Sequence, residues 1–341
     1  MPSALLYPSL TSAAPEAGAV SSIGTPTLWA ITLAAIAGLL LLDFLLTRRP
    51  HEVSMREALG WSAFYIAIPL AFGVWVWGAH GGEIGLQYYT GYLVEKALSI
   101  DNLFIFILIL TSFAVPRHLQ QRVLLIGIIG ALLMRGAFIA IGAALIAQFS
   151  VTFLVFGVIL LVTAWGVLKQ AREGGHEIDA QELRIVRLAR RFWPVTEDYR
   201  GTRLSVREGG RRALTPMALV ILAILGTDLV FAVDSVPAVY GITGDPYLVF
   251  ATNAFALLGL RALYFVLEGL LGQLRHLGYG LGLILVFIGI KLVLHWAHEV
   301  WPTVPTVPTL ASLGVIVGIL AVTVLTSVLA NRRDEARTGG A

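Results

Sequence analysis

Residues 91–106 read Gly91-Tyr92-Leu93-Val94-Glu95-Lys96-Ala97-Leu98-Ser99-Ile100-Asp101-Asn102-Leu103-Phe104-Ile105-Phe106. The stretch is apolar enough to lie in a bilayer, yet it carries two carboxylates, an ammonium and a carboxamide. A charge at the centre of a membrane helix costs about 2.5–3.5 kcal/mol on insertion scales, so such residues persist where they face a bundle interior or a water-filled path. The pattern recurs once, in Leu225-Gly226-Thr227-Asp228-Leu229-Val230-Phe231-Ala232-Val233-Asp234-Ser235-Val236-Pro237-Ala238. Glu95 and Asp101 are six residues apart, and so are Asp228 and Asp234. This doubled acidic helix is the expected functional centre.

The surrounding composition sets the class. The chain is 57% hydrophobic and only 13% charged, where a soluble domain carries about 25% charged residues. That is the composition of a polytopic membrane protein. No Cys is present, which removes disulfides, thiolate metal sites and dithiol chemistry. No phosphate-binding loop, dinucleotide fingerprint or nucleophile–base motif occurs, so the reading is a non-enzyme with no organic cofactor. Residues 1–26 are rich in Ser, Ala and Pro without a basic start, and read as a flexible extracytoplasmic tail.

Nine stretches reach the roughly 20 apolar residues that a crossing helix needs: about 27–46, 59–79, 86–113, 122–148, 150–169, 216–240, 247–271, 278–299 and 309–330. Lys and Arg alternate between the connections. Arg48, Arg49, Arg56, Arg117, Arg122, Arg275, Arg332, Arg333 and Arg337 fall on one side, with eleven more between Lys169 and Arg212. The opposite connections (80–85, 149, 241–246, 300–308) and the N-terminal tail hold none. The positive-inside rule then predicts an inner-membrane protein with its N-terminus outside and its C-terminal tail, 331–341, cytoplasmic. The basic residues follow topology, not nucleic acid.

Loop 170–215 is the one large connection. Leu183, Val186 and Leu188 among basic residues predict a short interfacial helix. Residues 199–214 alternate like a strand pair turning at Glu208-Gly209-Gly210. Thr215-Pro216 predicts an N-cap with Pro in the first turn. The loop serves either as a solvated connector against anionic headgroups or as a surface for a cytoplasmic partner.

Residues 86–169 and 216–299 match as triplets: an acidic pair, then an Arg (Arg135, Arg261), then a Lys (Lys169, Lys291). Residues 27–85 precede them as two further helices. Tandem three-helix units enter the membrane from opposite sides, which makes an inverted repeat and predicts a binding site near the midplane. The nine stretches hold six acids (Asp43, Glu95, Asp101, Asp228, Asp234, Glu268) and four bases (Lys96, Arg135, Arg261, Lys291). If all are ionised the sum is −2, which one divalent cation or two protons would neutralise.

Six residues of helix rise about 9 Å and turn the direction by about 120°, so Glu95 and Asp101 cannot share a small ion on an unbroken helix. A break, for which Pro237 is the candidate in the second acidic helix, or a site built across both helices is required. Ser99, Asn102, Ser235, Thr227 and Asn253 supply neutral oxygens. Such hard donors suit Mn²⁺, Mg²⁺ or Ca²⁺ over Cu⁺ or Zn²⁺. The opposing reading is that the acids only pair with Arg135, Arg261 and Lys96 to hold helices together; for Asp43 and Glu268, which lack a repeat partner, a local ion pair is expected. His295 and His298 read as an interfacial pair beside Trp296 and Trp301, with a metal exit station as the lesser option.

Glu95-Lys96-Ala97-Leu98-Ser99-Ile100-Asp101-Asn102 resembles the first signature of the TerC family of integral membrane proteins, named for tellurium resistance and including Alx-type manganese exporters. Phe231-Ala232-Val233-Asp234-Ser235-Val236-Pro237-Ala238 resembles the second. Asn253-Ala254-Phe255-Ala256-Leu257-Leu258-Gly259-Leu260-Arg261 and Phe287-Ile288-Gly289-Ile290-Lys291 are similar to two further blocks. The resemblance covers about 60–330. It implies manganese efflux, with acids at Glu95, Asp101, Asp228 and Asp234 handling the ion, and kinship with lysine-exporter-like transporters.

The expectation is therefore an all-α transporter exporting Mn²⁺ as cargo, with proton exchange as a coupling option. Ser99, Asn102, Ser235 and Asn253 would support the ion, and Lys96, Arg135, Arg261 and Lys291 would balance charge. The alternatives are export of a cationic amino acid or Ca²⁺, and a non-transporting scaffold for metal or tellurite stress acting through loop 170–215.

Overall fold

The fold was analysed in a computed structural model that describes residues 22–46, 54–173, 183–208, 211–268 and 276–338. Eleven helices and one small hairpin follow in order: α1 Pro26–Leu46, α2 Met55–His80, α3 Gly82–Ser112, α4 Arg117–Gln148, α5 Val151–Glu173, α6 Arg184–Phe192, β1 Ser205–Glu208, β2 Arg211–Leu214, α7 Pro216–Tyr240, α8 Pro246–Leu258, α9 Leu260–Glu268, α10 Leu277–Val300 and α11 Thr309–Thr338. Most of the expected extracytoplasmic tail, the turn at Gly209-Gly210 and Arg48, Arg49 and Arg275 lie outside the described residues.

Seven of these helices (α1, α2, α4, α5, α7, α10 and α11) are long and apolar enough to cross a membrane, and α8 with α9 makes an eighth if the 41° bend between them lies within one span. α3 has 31 residues and packs on α2, α7 and α8, but its central charges set it apart from the apolar set. The protein is an all-α polytopic membrane protein.

Local chemistry explains the helix starts. Thr215 Oγ1 accepts from the Ala218 amide at 3.4 Å, and Pro216, with no N–H to satisfy, opens the first turn of α7. Asp245 Oδ1 accepts from the Tyr247 amide at 2.8 Å ahead of Pro246, starting α8. Ser54 Oγ does the same for α2 through the Glu57 amide.

The structure corrects several sequence expectations. The connection expected at 80–85 shrinks to one residue, Gly81, whose φ of +91° suits only glycine; both flanking helices run up to it. α7 continues through Pro237 to Tyr240, because a proline in the final turn forfeits one hydrogen bond near an end that already lacks partners. The break lies instead in the next span, at Gly259 between α8 and α9. α11 carries on to Thr338, so most of the expected C-terminal tail is helical. The predicted hairpin is present, with Ser205 opposite Leu214 and Glu208 opposite Arg211.

Packing follows small residues. α5 lies against α10, where a Cβ built on Gly157 would stand 2.9 Å from Gly289 O and one built on Gly289 would stand 3.1 Å from Gly157 O. Close backbone approach of this kind is how apolar helices associate without a hydrophobic driving force. α4 packs on α7 and α3 on α8, which brings the first and second members of both triplets around one centre.

Candidate functional site

Arg135 is central. It sits in mid-α4 with no solvent exposure, the largest such side chain among the described residues. Its Nη1 donates to Glu95 Oε2 of α3 at 3.0 Å. Nη2 donates to Asp228 Oδ1 of α7 at 3.0 Å, and Nε reaches Asp228 Oδ2 at 3.4 Å. The flat guanidinium fork suits this two-carboxylate geometry, which an ammonium could not reproduce. Asn253 of α8 donates from Nδ2 to Glu95 Oε1 at 2.9 Å. The hydrogen-bond network orients the Asn102 amide so that its oxygen accepts from Arg135 Nη2 at 2.8 Å and its nitrogen donates to Leu98 O at 3.1 Å. The guanidinium thus ties α3, α4 and α7 directly, and Asn253 joins α8 through Glu95.

Helix periodicity places the partners. Glu95, Ser99 and Asn102 follow an i, i+4, i+7 spacing and share one face of α3; Asp228 and Ser235, seven apart, share one face of α7. α3 is continuous from Gly82 to Ser112, so Asp101 stands about 9 Å further along the axis than Glu95. The side chains of Asp101 and Glu268 lie outside the described residues. Asp234 is partly buried and stands outside the hydrogen-bonded cluster.

The cluster is undersupplied. Ser99 Oγ, Ser235 Oγ and Asn253 Oδ1 are buried with no hydrogen-bond partner, as is Tyr92 Oη. Orphaned buried oxygens are costly, and three of these four belong to the residues expected to support an ion. Among the described residues, no group of three or more His, Asp or Glu is arranged to hold a metal; Arg135 stands where the two carboxylates converge.

The other expected charge-balancing residues lie elsewhere. Arg261 of α9 donates through Nε and Nη2 to Asp43 of α1, the local pair expected for that acid, and Tyr65 Oη adds a contact to Asp43 Oδ1 at 3.3 Å. Lys96 turns toward the helix break: its Nζ donates to Ala256 O at 3.4 Å, in the last turn of α8, where a cation meets freed carbonyls and the negative dipole end. Lys291 sits one turn before His295 on α10. His298 Nδ1 contacts Val304 O at 2.6 Å, and His295 Nε2 approaches Glu299 at 3.7 Å, an arrangement occupied by local partners. Sequence reasoning missed Tyr92, three residues before Glu95 and so on the same side of α3, and Gly259, a lone glycine within an apolar run.

Residues 80–335 match the Integral membrane protein TerC family. An uncharacterized membrane protein of Mycobacterium tuberculosis H37Rv is 47% identical over 276 residues, covering 80% of this chain and 69% of that protein. A membrane protein of Myxococcus xanthus is 38% identical over 312 residues, covering 91% of this chain and 95% of its own length. Alx of Escherichia coli K12, named as a candidate membrane-bound redox modulator, is 36% identical over 331 residues, covering 94% of this chain and all of its own. No solved structure matches significantly. Every residue of the Arg135 cluster falls within the matched segment, and the chain belongs to the TerC family of integral membrane proteins.

Proposed function

We propose that the protein is a secondary transporter that exports Mn²⁺, with Glu95 and Asp228 as the carboxylates that meet the ion. The observation that carries this reading is the meeting of one acid from each helical triplet at a single buried guanidinium, with buried unpaired oxygens on the same helices, α3 and α7, and on α8. Arg135 acts as a resident cation holding the site closed; a divalent ion competes for the same oxygens and releases it. Asp101 and Asp234 extend the path along the two acidic helices. Oxygen-only donors favour a hard ion such as Mn²⁺, and the absence of Cys leaves no thiol for redox work. The reciprocal packing of α3 on α8 and α4 on α7 is what an inverted repeat would produce.

The test is Mn²⁺ flux into proteoliposomes loaded with a manganese-sensitive dye. Glu95→Gln and Asp228→Asn are expected to remove flux while the purified variants keep the parent's elution profile. Undiminished flux in both would overturn the assignment.

A further inference from the structure

The surface of α6 is not used by the cluster, and its two sides differ in kind. Inward, Val186 and Ala189 are buried against Met217, Val220 and Ile221 of α7. Ile185 rests on Gly226, where an added Cβ would come within 2.9 Å of its Cγ2. Outward, Leu188, Phe192 and Trp193 are 55%, 66% and 51% exposed. Leu188 and Phe192 are one helical turn apart and form a stripe. Arg184, Arg187 and Arg191, also exposed, form the stripe beside it. α6 contains four arginines and no acid.

Its place in the bundle is against α7. From Pro216 to Asp228 no α7 residue is exposed, and the lipid-like exposure starts at Leu229 and Val230. Ile185 packs on α7 one turn before that start, so α6 covers the N-terminal half of α7, on the side of the basic loop. Apolar side chains exposed there beside arginines match the chemistry of an anionic lipid surface: rings and leucine enter the acyl boundary while guanidinium groups take phosphates.

We propose that α6 is a docking surface for anionic lipid headgroups, read by Arg184, Arg187 and Arg191 and seated by Leu188, Phe192 and Trp193. Each arginine near such a surface contributes about fivefold to partitioning. The proposal does not depend on what the protein transports.

The chain has no Cys, so Leu188→Cys in the full chain accepts a single nitroxide label. The labelled protein is reconstituted into vesicles of phosphatidylcholine alone or with phosphatidylglycerol, and collision with oxygen and with an aqueous nickel chelate is measured. With phosphatidylglycerol, oxygen access should exceed nickel access several-fold; with phosphatidylcholine alone, or in the Arg184→Gln/Arg187→Gln/Arg191→Gln background, the label should return toward water. High salt on the parent label should give the same return without altering the chain, which guards against misfolding of the triple variant. A label equally aqueous in both vesicle types would overturn the proposal and leave the surface to a protein partner. A label buried regardless of phosphatidylglycerol and salt would also overturn it, because apolar insertion alone would then suffice.

Discussion

Arg261 meets one carboxylate, Asp43, through two of its nitrogens, and Tyr65 Oη supplies a further donor to that acid. Arg135, the arginine at the matching place in the other triplet, meets two carboxylates from two helices, with unpaired oxygens of Ser99, Ser235 and Asn253 close by in sequence register. The first arrangement joins one cation to one acid and fastens α1 to α9. The second sets two acids against one cation and leaves acceptors idle. An acid matched by its own guanidinium offers less to a cation than two acids sharing one. Matching places in the two triplets thus did not give the two arginines matching partners.

The largest effect that tests this contrast is expected for Arg135→Met. Two buried carboxylates would then face each other without a counter-charge, at a cost of about 3–5 kcal/mol, read as a large fall in detergent melting temperature. A parent-like melt would mean that Glu95 and Asp228 are not both ionised. Next comes the pairwise comparison. Asp43→Leu and Arg261→Met should each destabilise strongly, while the double variant should recover to within about 1–2 kcal/mol of the parent, since replacing both members of a buried pair is near neutral. Arg135→Met combined with Asp228→Leu should not recover, because Glu95 remains. Melting of the parent, Asp43→Leu, Arg261→Met and their double variant as a cycle gives the coupling directly.

A smaller effect is expected at Tyr199, whose Oη donates to Phe113 O at 2.8 Å and ties the basic loop to the end of α3. Tyr199→Phe should cost about 1 kcal/mol. Burial pushes this hydroxyl from its usual 10.0 up to about 12. A raised folded-state value means the protonated donor's contribution is complete below pH 10 and is lost as the pH climbs toward 12. The parent should therefore lose more stability than Tyr199→Phe across that window; equal losses would place the titration elsewhere.

Much of this arrangement was legible beforehand. Runs of apolar residues located the crossing helices, and the placement of acids within them singled out α3 and α7, because charge in such a run needs a reason. The Thr215-Pro216 cap and the pairing of β1 with β2 were readable from local chemistry alone. What the sequence could not assign was partnership. Nothing in the spacing says that Arg135 reaches Glu95 and Asp228 while Arg261 reaches back to α1, since that depends on how helices distant in sequence are placed. Pro237 was the stronger breaker by propensity, but its place in a final turn made it harmless, whereas Gly259 sits at mid-span where Lys96 can serve the loosened carbonyls.

The Gly157–Gly289 seam between α5 and α10 leaves no clearance for even one methyl group. Under the transport proposed above, such a seam would let α5 and α10 move as one body, and any rocking would fall to α3, α4, α7 and α8 against it. A side chain wedged in, as in Gly157→Ala, is expected to push the pair apart without touching the acids.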